Sequence, residues 1–521
     1  MHSSSLDLCL FCLAFSYGHC HSLVAMGGTS LWSENLTIFS HYLITWGGLA
    51  NSCLFLELPI TPGQFLKQTL FNPLRHLPGP WYTSVTGLVL RFQALNGYRS
   101  QWVDELHRKY GPVVRIAPNE VDVCDYDGYR EIHKISNPFV KAPWYIKFRE
   151  AVNCFTATDT QVHARNRRLL SRPFSKSSLR EHWEPTVRQL AEAAVQGIKK
   201  EAVAGPADAM KWWTFMATDV TGALVYSEDF GMTTTGQKNK YIDELEFVNK
   251  ARALRLEVYG LYCALRTYTF GYFDRLTRAD QYIEKRSAEI VQRASQRELP
   301  KANIFAGLKG DRSSDETMAD REVLLESVML IVAGSGTTAV TMTFLAWAVM
   351  ANPEIQNRLE KEVAALRVDF TDAELEELPY LNAVINESLR LYGAAPFGLP
   401  RVVPKAGFNV CGHQIPGGSV VTTQSYSLHR DGSVWAEPDK FHAERWLDEP
   451  QHAKAIFAPF GGGSRTCIGL HVAQMELRFA TALLFRECAG IKLAPSTTPE
   501  SMEIAQYSLI APRGRKCEVM L

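Results

Sequence analysis

The stretch Ala455–Gly469, AIFAPFGGGSRTCIG, constrains this chain more than any other. It sets three consecutive glycines, an arginine and a cysteine just ahead of Leu470–Phe485. That run is apolar-periodic, lacks proline and reads as a helix of about four turns. Cys467 is therefore expected where a glycine-rich loop opens into a helix. The positive end of the helix dipole and free backbone N–H groups there favour thiolate over thiol. Gly461, Gly462 and Gly463 carry no side chains, so a large flat ligand can lie against their backbone. Gly469 would let the helix approach such a ligand closely.

A cysteine beside glycines is usually only a small hydrophobe. A phosphate loop would need Gly-Lys-Ser/Thr, which does not follow, and no second Cys or His stands at zinc-ligand spacing. A single thiolate with an arginine two residues ahead suits haem. Cysteine would be the axial ligand, and Arg465 would face an anionic propionate. Phe460, Gly463, Arg465, Cys467 and Gly469 fill every fixed position of F-x-x-G-x-R-x-C-x-G. In this the stretch resembles the cytochrome P-450 family.

The rest of the chain sets bounds. Its 521 residues allow a large core. Lys plus Arg equals Asp plus Glu at 55 each, so nothing points to nucleic acid. Eleven scattered cysteines fit a reducing compartment better than a disulfide scaffold.

Residues 1–60 read as a membrane-anchor region. Leu36–Leu56 holds 21 residues without Asp, Glu, Lys or Arg, enough to span a bilayer. Gly47, Gly48 and Asn51 weaken it, and a buried hairpin or packed helix is the rival to the favoured membrane anchor. Lys67, Arg75 and Arg91 follow the run and none precedes it, which puts the main domain in the cytosol. Asn35 heads a glycosylation sequon on the opposite side. Residues 61–80 form a proline-rich hinge ending in Leu77-Pro78-Gly79-Pro80, a stiff non-helical segment. Residues 81–521 are the expected catalytic domain.

Further along, Tyr98–Tyr110 is helical, and Val113–Ile116 with Val121–Cys124 reads as a hairpin. His163 and Arg167 share one helical face, by themselves a solvated basic face. Trp212, Trp213, Phe215 and Phe247 are core candidates. The longest helix is expected over Asp320–Met350, stopped by Asn352-Pro353. Its uncharged 23 residues Val328–Met350 have transmembrane length. The small and hydroxyl residues of Ala333-Gly334-Ser335-Gly336-Thr337-Thr338 argue for a core helix instead. Glu387 and Arg390, three apart on a helix over Leu378–Leu391, are an ordinary surface pair on their own.

The resemblance, which runs from about Leu77 to the end, gives these segments further meaning. It implies a mainly α fold with a smaller β region and haem b on Cys467. His163, Arg167 and Arg401 become propionate partners. Ala333 comes to lie over the oxygen site, where Thr337 and Ser335 handle protons. Gly336 stands where the family usually has an acid, which puts the proton route in doubt. Glu387, Arg390 and Arg445 match the family's buried triad, although Ala443 replaces a usual proline.

The activity implied is insertion of one oxygen atom from O2 into a lipophilic small molecule. The chain ends 54 residues past Cys467, so electrons are expected from a separate NADPH-dependent reductase in the endoplasmic reticulum membrane. The sequences HARNRR, AGSGTT and FHAERW resemble fungal secondary-metabolism members such as averantin hydroxylase. Two other readings stay open. One is a haem-thiolate enzyme of rearrangement or dehydration without O2 activation, and the other a non-catalytic membrane protein binding haem or lipid.

Overall fold

The computed structural model describes residues 70–136, 138–148, 151–267, 271–295, 318–447 and 455–521, together with Gly63 and Ile304. The span 36–56, Asn35 and the hinge residues before 70 other than Gly63 lie outside the described residues. Glu57–Leu521 form one compact unit, mainly helical with small sheets.

Six helices position the site. We label them α1 (Thr160–Ser171), α2 (Glu184–Ala204), α3 (Ala209–Tyr226), α4 (Asp320–Met350), α5 (Pro379–Tyr392) and α6 (Leu470–Glu487). Helix α4 has the expected bounds. Its first turn is closed by Glu322, whose Oε2 accepts the Ala319 N–H at 2.8 Å. Its end is set by Pro353, which holds Asn352 out of the helical region and starts the next helix. Among the described residues it is the one helix long and apolar enough to cross a membrane. It is nevertheless mostly buried, packed along α3 and against α5 and α6 in one continuous apolar core. Trp212, Trp213 and Phe215 belong to that core and Phe247 lies at its edge.

The main sheet has five strands: β1 (Val113–Ala117), β2 (Glu120–Val123), β3 (Val140–Lys141), β4 (Arg401–Val402) and β5 (Val420–Thr422). Their spatial order is β1-β2-β5-β4-β3. β1 and β2 form the expected hairpin, and β2 then pairs in parallel with β5. The register sets Lys141 of β3 directly opposite Arg401 of β4.

Leu74–Pro80 is bound to the folded unit rather than free to act as a hinge. Arg115, buried on β1, donates to the carbonyls of Leu74 (2.9 Å), Leu77 (3.1 Å) and Pro80 (3.1 Å). Its own N–H donates to the Pro78 carbonyl. An arginine from a distant strand thus takes up four carbonyls of this non-helical segment.

Candidate functional site

Cys467 sits where the sequence places it, three residues before α6, after a 3-10 turn over Gly463–Arg465. The loop is pinned by its own backbone, since the Cys467 N–H donates to the Phe460 carbonyl at 2.8 Å. Phe460 itself packs against the core. Gly463 has φ +62°, and a Cβ there would lie 1.6 Å from the His133 carbonyl oxygen. No side chain fits at that position. The Cys467 side chain is accessible; crowding by the protein around it pushes its thiol up, while the Gly469 N–H and Arg167 pull it down. Gly469 offers that N–H, and a Cβ there would make only ordinary contacts with Val472 and the Cys467 sulfur.

Beside the loop, basic side chains converge from separate elements. His163 and Arg167 come from α1, whose N-terminus is capped by Asp159. Arg465 comes from the loop, Arg401 from β4 and Lys141 from β3. Burial, then the charges of Arg465, Lys141, Arg167 and Arg401, hold the His163 imidazole down to about 3. Lys141 is buried too; desolvation, Arg465 and Arg401 bring its ammonium down to about 6. Like charges directly opposite on paired strands are unfavourable. Aromatic faces offset part of that, with Tyr145 4.5 Å and Phe155 5.0 Å from the Lys141 Nζ. Arg401 donates to the Tyr145 hydroxyl at 2.8 Å, and Arg167 donates to the Thr466 carbonyl. Glu326, which also influences Lys141, is engaged by the Cys154 N–H (2.6 Å) and the Asn166 amide (2.9 Å). Among the described residues the cluster is thus short of negative charge, and it suits a ligand that brings two carboxylates of its own. A haem placed by Cys467 meets that condition.

Helix α4 presents a second feature. Ala333 is exposed in mid-helix although Ile331 and Ser335 on either side are buried. Thr337 lies one turn on, its hydroxyl donating to the Ala333 carbonyl at 2.7 Å. Ser335 does not share this open face: it is buried, and its hydroxyl donates to the Ile331 carbonyl. The glycines serve packing. A Cβ on Gly334 would lie 2.4 Å from the Thr221 Oγ1 of α3, and one on Gly336 would lie 3.1 Å from a Leu509 methyl. The space beside Gly336 is therefore bounded by an apolar side chain.

Glu387, Arg390 and Arg445 meet in the core. Arg390 donates Nε and Nη2 to the two Glu387 oxygens at 2.8 Å each, and both side chains are fully buried. Arg445 Nε reaches Glu387 Oε1 at 3.0 Å, and the Trp446 indole and His442 N–H complete the shell. That geometry excludes the surface-pair reading. Burial pushes the Glu387 carboxyl up, and the arginines with the His442 N–H more than reverse it.

A cleft of about 560 Å³ opens elsewhere, between Leu88, Trp144 and Leu256, with an Arg99–Glu120 ion pair at 3.1 Å on its wall. It shares Pro400 with the segment leading to Arg401 but includes no residue of the cysteine loop.

The cytochrome P450 family profile matches residues 77–518. The chain belongs to the cytochrome P450 family. It is 39% identical over 470 residues to the cytochrome P450 monooxygenase stcB of Emericella nidulans, covering 88% of this chain and 90% of that one. It is 37% identical over 505 residues to aflV of Aspergillus parasiticus, covering 94% and 99%. With tazI of Aspergillus terreus it shares 40% over 457 residues, covering 86% and 93%. This P450 is accordingly an oxidoreductase of the monooxygenase kind, and its family implies a haem-thiolate iron cofactor.

Sequence reasoning missed three residues of this P450's site. Lys141 carries no local signal, and only strand pairing brings it to Arg401. His429 links α5 to the cysteine loop, its Nε2 accepting the Ala458 N–H at 2.9 Å and its Nδ1 3.0 Å from the Arg390 carbonyl. Glu476 of α6, which carries no signal of its own in the sequence, is buried against α4.

Proposed function

We propose that this P450 oxygenates a lipophilic fungal secondary metabolite of polyketide type, drawing electrons from a separate NADPH-dependent reductase. The observation that carries the reading is a cationic cluster that forms no ion pair among the described residues, built around the loop that presents Cys467. Cys467 would ligate the iron of haem b. Arg465, Arg401, Arg167, His163 and Lys141 would hold its propionates, with Phe460, Gly463 and Gly469 shaping the bed. Held so, the haem supplies reductive activation of O2 and transfer of one oxygen atom to the substrate.

The chain's own residues bind, orient and move protons. Ala333 leaves room on the open face of α4, and Thr337 is the hydroxyl there for positioning protons. Leu509 beside Gly336 keeps that side apolar, which favours a lipophilic substrate. The run 36–56 would anchor the protein in the endoplasmic reticulum membrane, with the catalytic domain cytosolic and Asn35 on the lumenal side.

The test is spectroscopic and chemical. The reduced, CO-bound protein should show the red-shifted Soret band of a thiolate ligand, and Cys467→Ala should lose it. Product should form only with NADPH and reductase. An unchanged thiolate band in Cys467→Ala would assign the iron to another cysteine. Turnover without NADPH would favour a rearranging enzyme, the reading that a carboxylate-free position 336 supports.

A further inference from the structure

Two of the basic side chains beside Cys467 are steered by one short segment, Ala151–Ala157. The Phe155 carbonyl accepts from the Lys141 ammonium, and the Ala157 carbonyl accepts from Arg465 Nη1 at 3.3 Å. The segment is also tied to itself. The Asn153 side-chain oxygen accepts the N–H groups of Phe155 and Thr156 at 3.0 Å each. The Thr156 hydroxyl donates to the Ala151 carbonyl at 2.7 Å, and the Ala157 N–H donates to the Asn153 carbonyl at 2.9 Å. A displacement at Cys154 therefore carries Phe155 and Ala157 with it, and with them the carbonyls that hold Lys141 and Arg465.

Glu326 is what joins this turn to the helices. Its side chain, near the start of α4, is 2% exposed. One oxygen, Oε1, accepts both the Cys154 N–H at 2.6 Å and the Asn166 amide of α1 at 2.9 Å. Helix α1 carries His163 and Arg167 as well, so a single carboxyl oxygen links α4, the turn and the helix that bears two more members of the cluster. Both partners are N–H donors, and removing a buried acceptor leaves each of them unsatisfied. The same carboxyl favours the charged form of Lys141, which burial otherwise suppresses.

We propose that Glu326 is a positioning residue of the cofactor bed, pinning Ala151–Ala157 to α4 and α1 so that Lys141 and Arg465 stand in place for the haem propionates. It acts through the Cys154 N–H and the Asn166 amide. Seven residues, about 10 Å of helix, separate it from Ala333, so it does not touch the reacting atoms. This positioning role rests on the haem reading above.

The first measurement is independent of turnover. In hydrogen exchange of the full-length holoenzyme, peptides covering 151–157 should exchange about tenfold faster in Glu326→Ala than in wild type. Glu326→Gln, whose side-chain oxygen can still accept both N–H groups, should restore the slow exchange. Unchanged exchange in Glu326→Ala would overturn the proposal. The second measurement is haem transfer to apomyoglobin. It should be about tenfold faster from Glu326→Ala, with the thiolate CO spectrum retained before transfer, and near wild type from Glu326→Gln. Transfer from Glu326→Ala at the wild-type rate would overturn the proposal. So would equally fast transfer from Val349→Ala, a core variant at the far end of α4, because general weakening of the helix would then suffice. If Glu326→Ala does not accumulate, Glu326→Asp, one methylene too short to reach both donors, takes its place in both measurements. Wild-type behaviour of that variant overturns the proposal. A wild-type protein without the thiolate band would refute the haem reading itself, and the positioning role falls with it even where exchange shows the turn to be pinned.

Discussion

Acid should weaken this protein through His429. The ring is buried between α5 and the cysteine loop, and its Nε2 accepts the Ala458 N–H at 2.9 Å. Since a backbone N–H can only donate, the proton sits on Nδ1, which donates to the Arg390 carbonyl. The ring is therefore neutral, and burial lowers its proton affinity from an ordinary 6.5 to about 3. That gap corresponds to roughly 5 kcal/mol. The unfolded chain binds the proton near 6.5, whereas the folded protein resists until about 3. Stability from the neutral ring is thus complete above the unfolded value and declines as pH falls between the two. His133, also held to about 3, adds to the same slope. Glu387 adds a loss of the same sign only below its ordinary 4.5, because its carboxyl is held under that value.

His429→Gln isolates the contribution. A glutamine oxygen can accept from Ala458 but leaves the Arg390 carbonyl without a donor, a cost of about 1–3 kcal/mol at neutral pH. The proton uptake disappears with the imidazole. Over a fall of about two pH units below 6.5, wild type should lose about 3 kcal/mol more than the variant. Denaturant unfolding of both proteins across that range, followed by far-ultraviolet circular dichroism and the Soret band, measures it. Parallel curves would refute the reasoning.

Arg390→Ala leaves the buried Glu387 with Arg445 as its one charged partner among the described residues, at a cost of roughly 3–5 kcal/mol. Little haem-loaded protein should accumulate, and a wild-type melting temperature would refute the prediction. Gly463→Ala puts a methyl group on the His133 carbonyl at a left-handed position. Haem retention should fall while helical circular dichroism persists, and unchanged retention would show that the loop can yield. A chain shortened to begin at Leu70 should leave the membrane fraction and still bind haem. One beginning at Leu77 should be less stable, because it loses the buried Leu74 and the carbonyl that Arg115 holds.

What could be read in the sequence was local. The loop before α6 is fixed by glycines and a cysteine within a few residues, and α4 by its apolar run and the proline that ends it. The triad residues could be named from motif order, but their burial depends on how α5 meets the Ala443–Trp446 turn. Lys141 and His429 were not legible, because strand register and a loop crossing bring them in from far along the chain. Leu77-Pro78-Gly79-Pro80 misled for a related reason. Two prolines around a glycine do read as a free stiff segment, and nothing nearby marks Arg115 as its buried partner.

The run Ala333–Thr338 read as one stretch of small and hydroxyl residues in a core helix, but its residues answer to different neighbours. A methyl group on Gly334 meets Thr221, a β-branched side chain with little rotamer freedom, at 2.4 Å from its oxygen and 2.9 Å from its methyl. A methyl group on Gly336 meets only the end of Leu509, at 3.1 Å, and that side chain can turn aside. Alanine gains about 1 kcal/mol over glycine inside a helix at either position. At 334, overpacking of about 1–3 kcal/mol cancels or exceeds that gain. Gly334→Ala should therefore lower the melting temperature, and Gly336→Ala should hold or raise it. Thermal unfolding of the two single variants decides the matter. The reverse order would mean that α3 and α4 can slide apart, and that position 336 is the tight one.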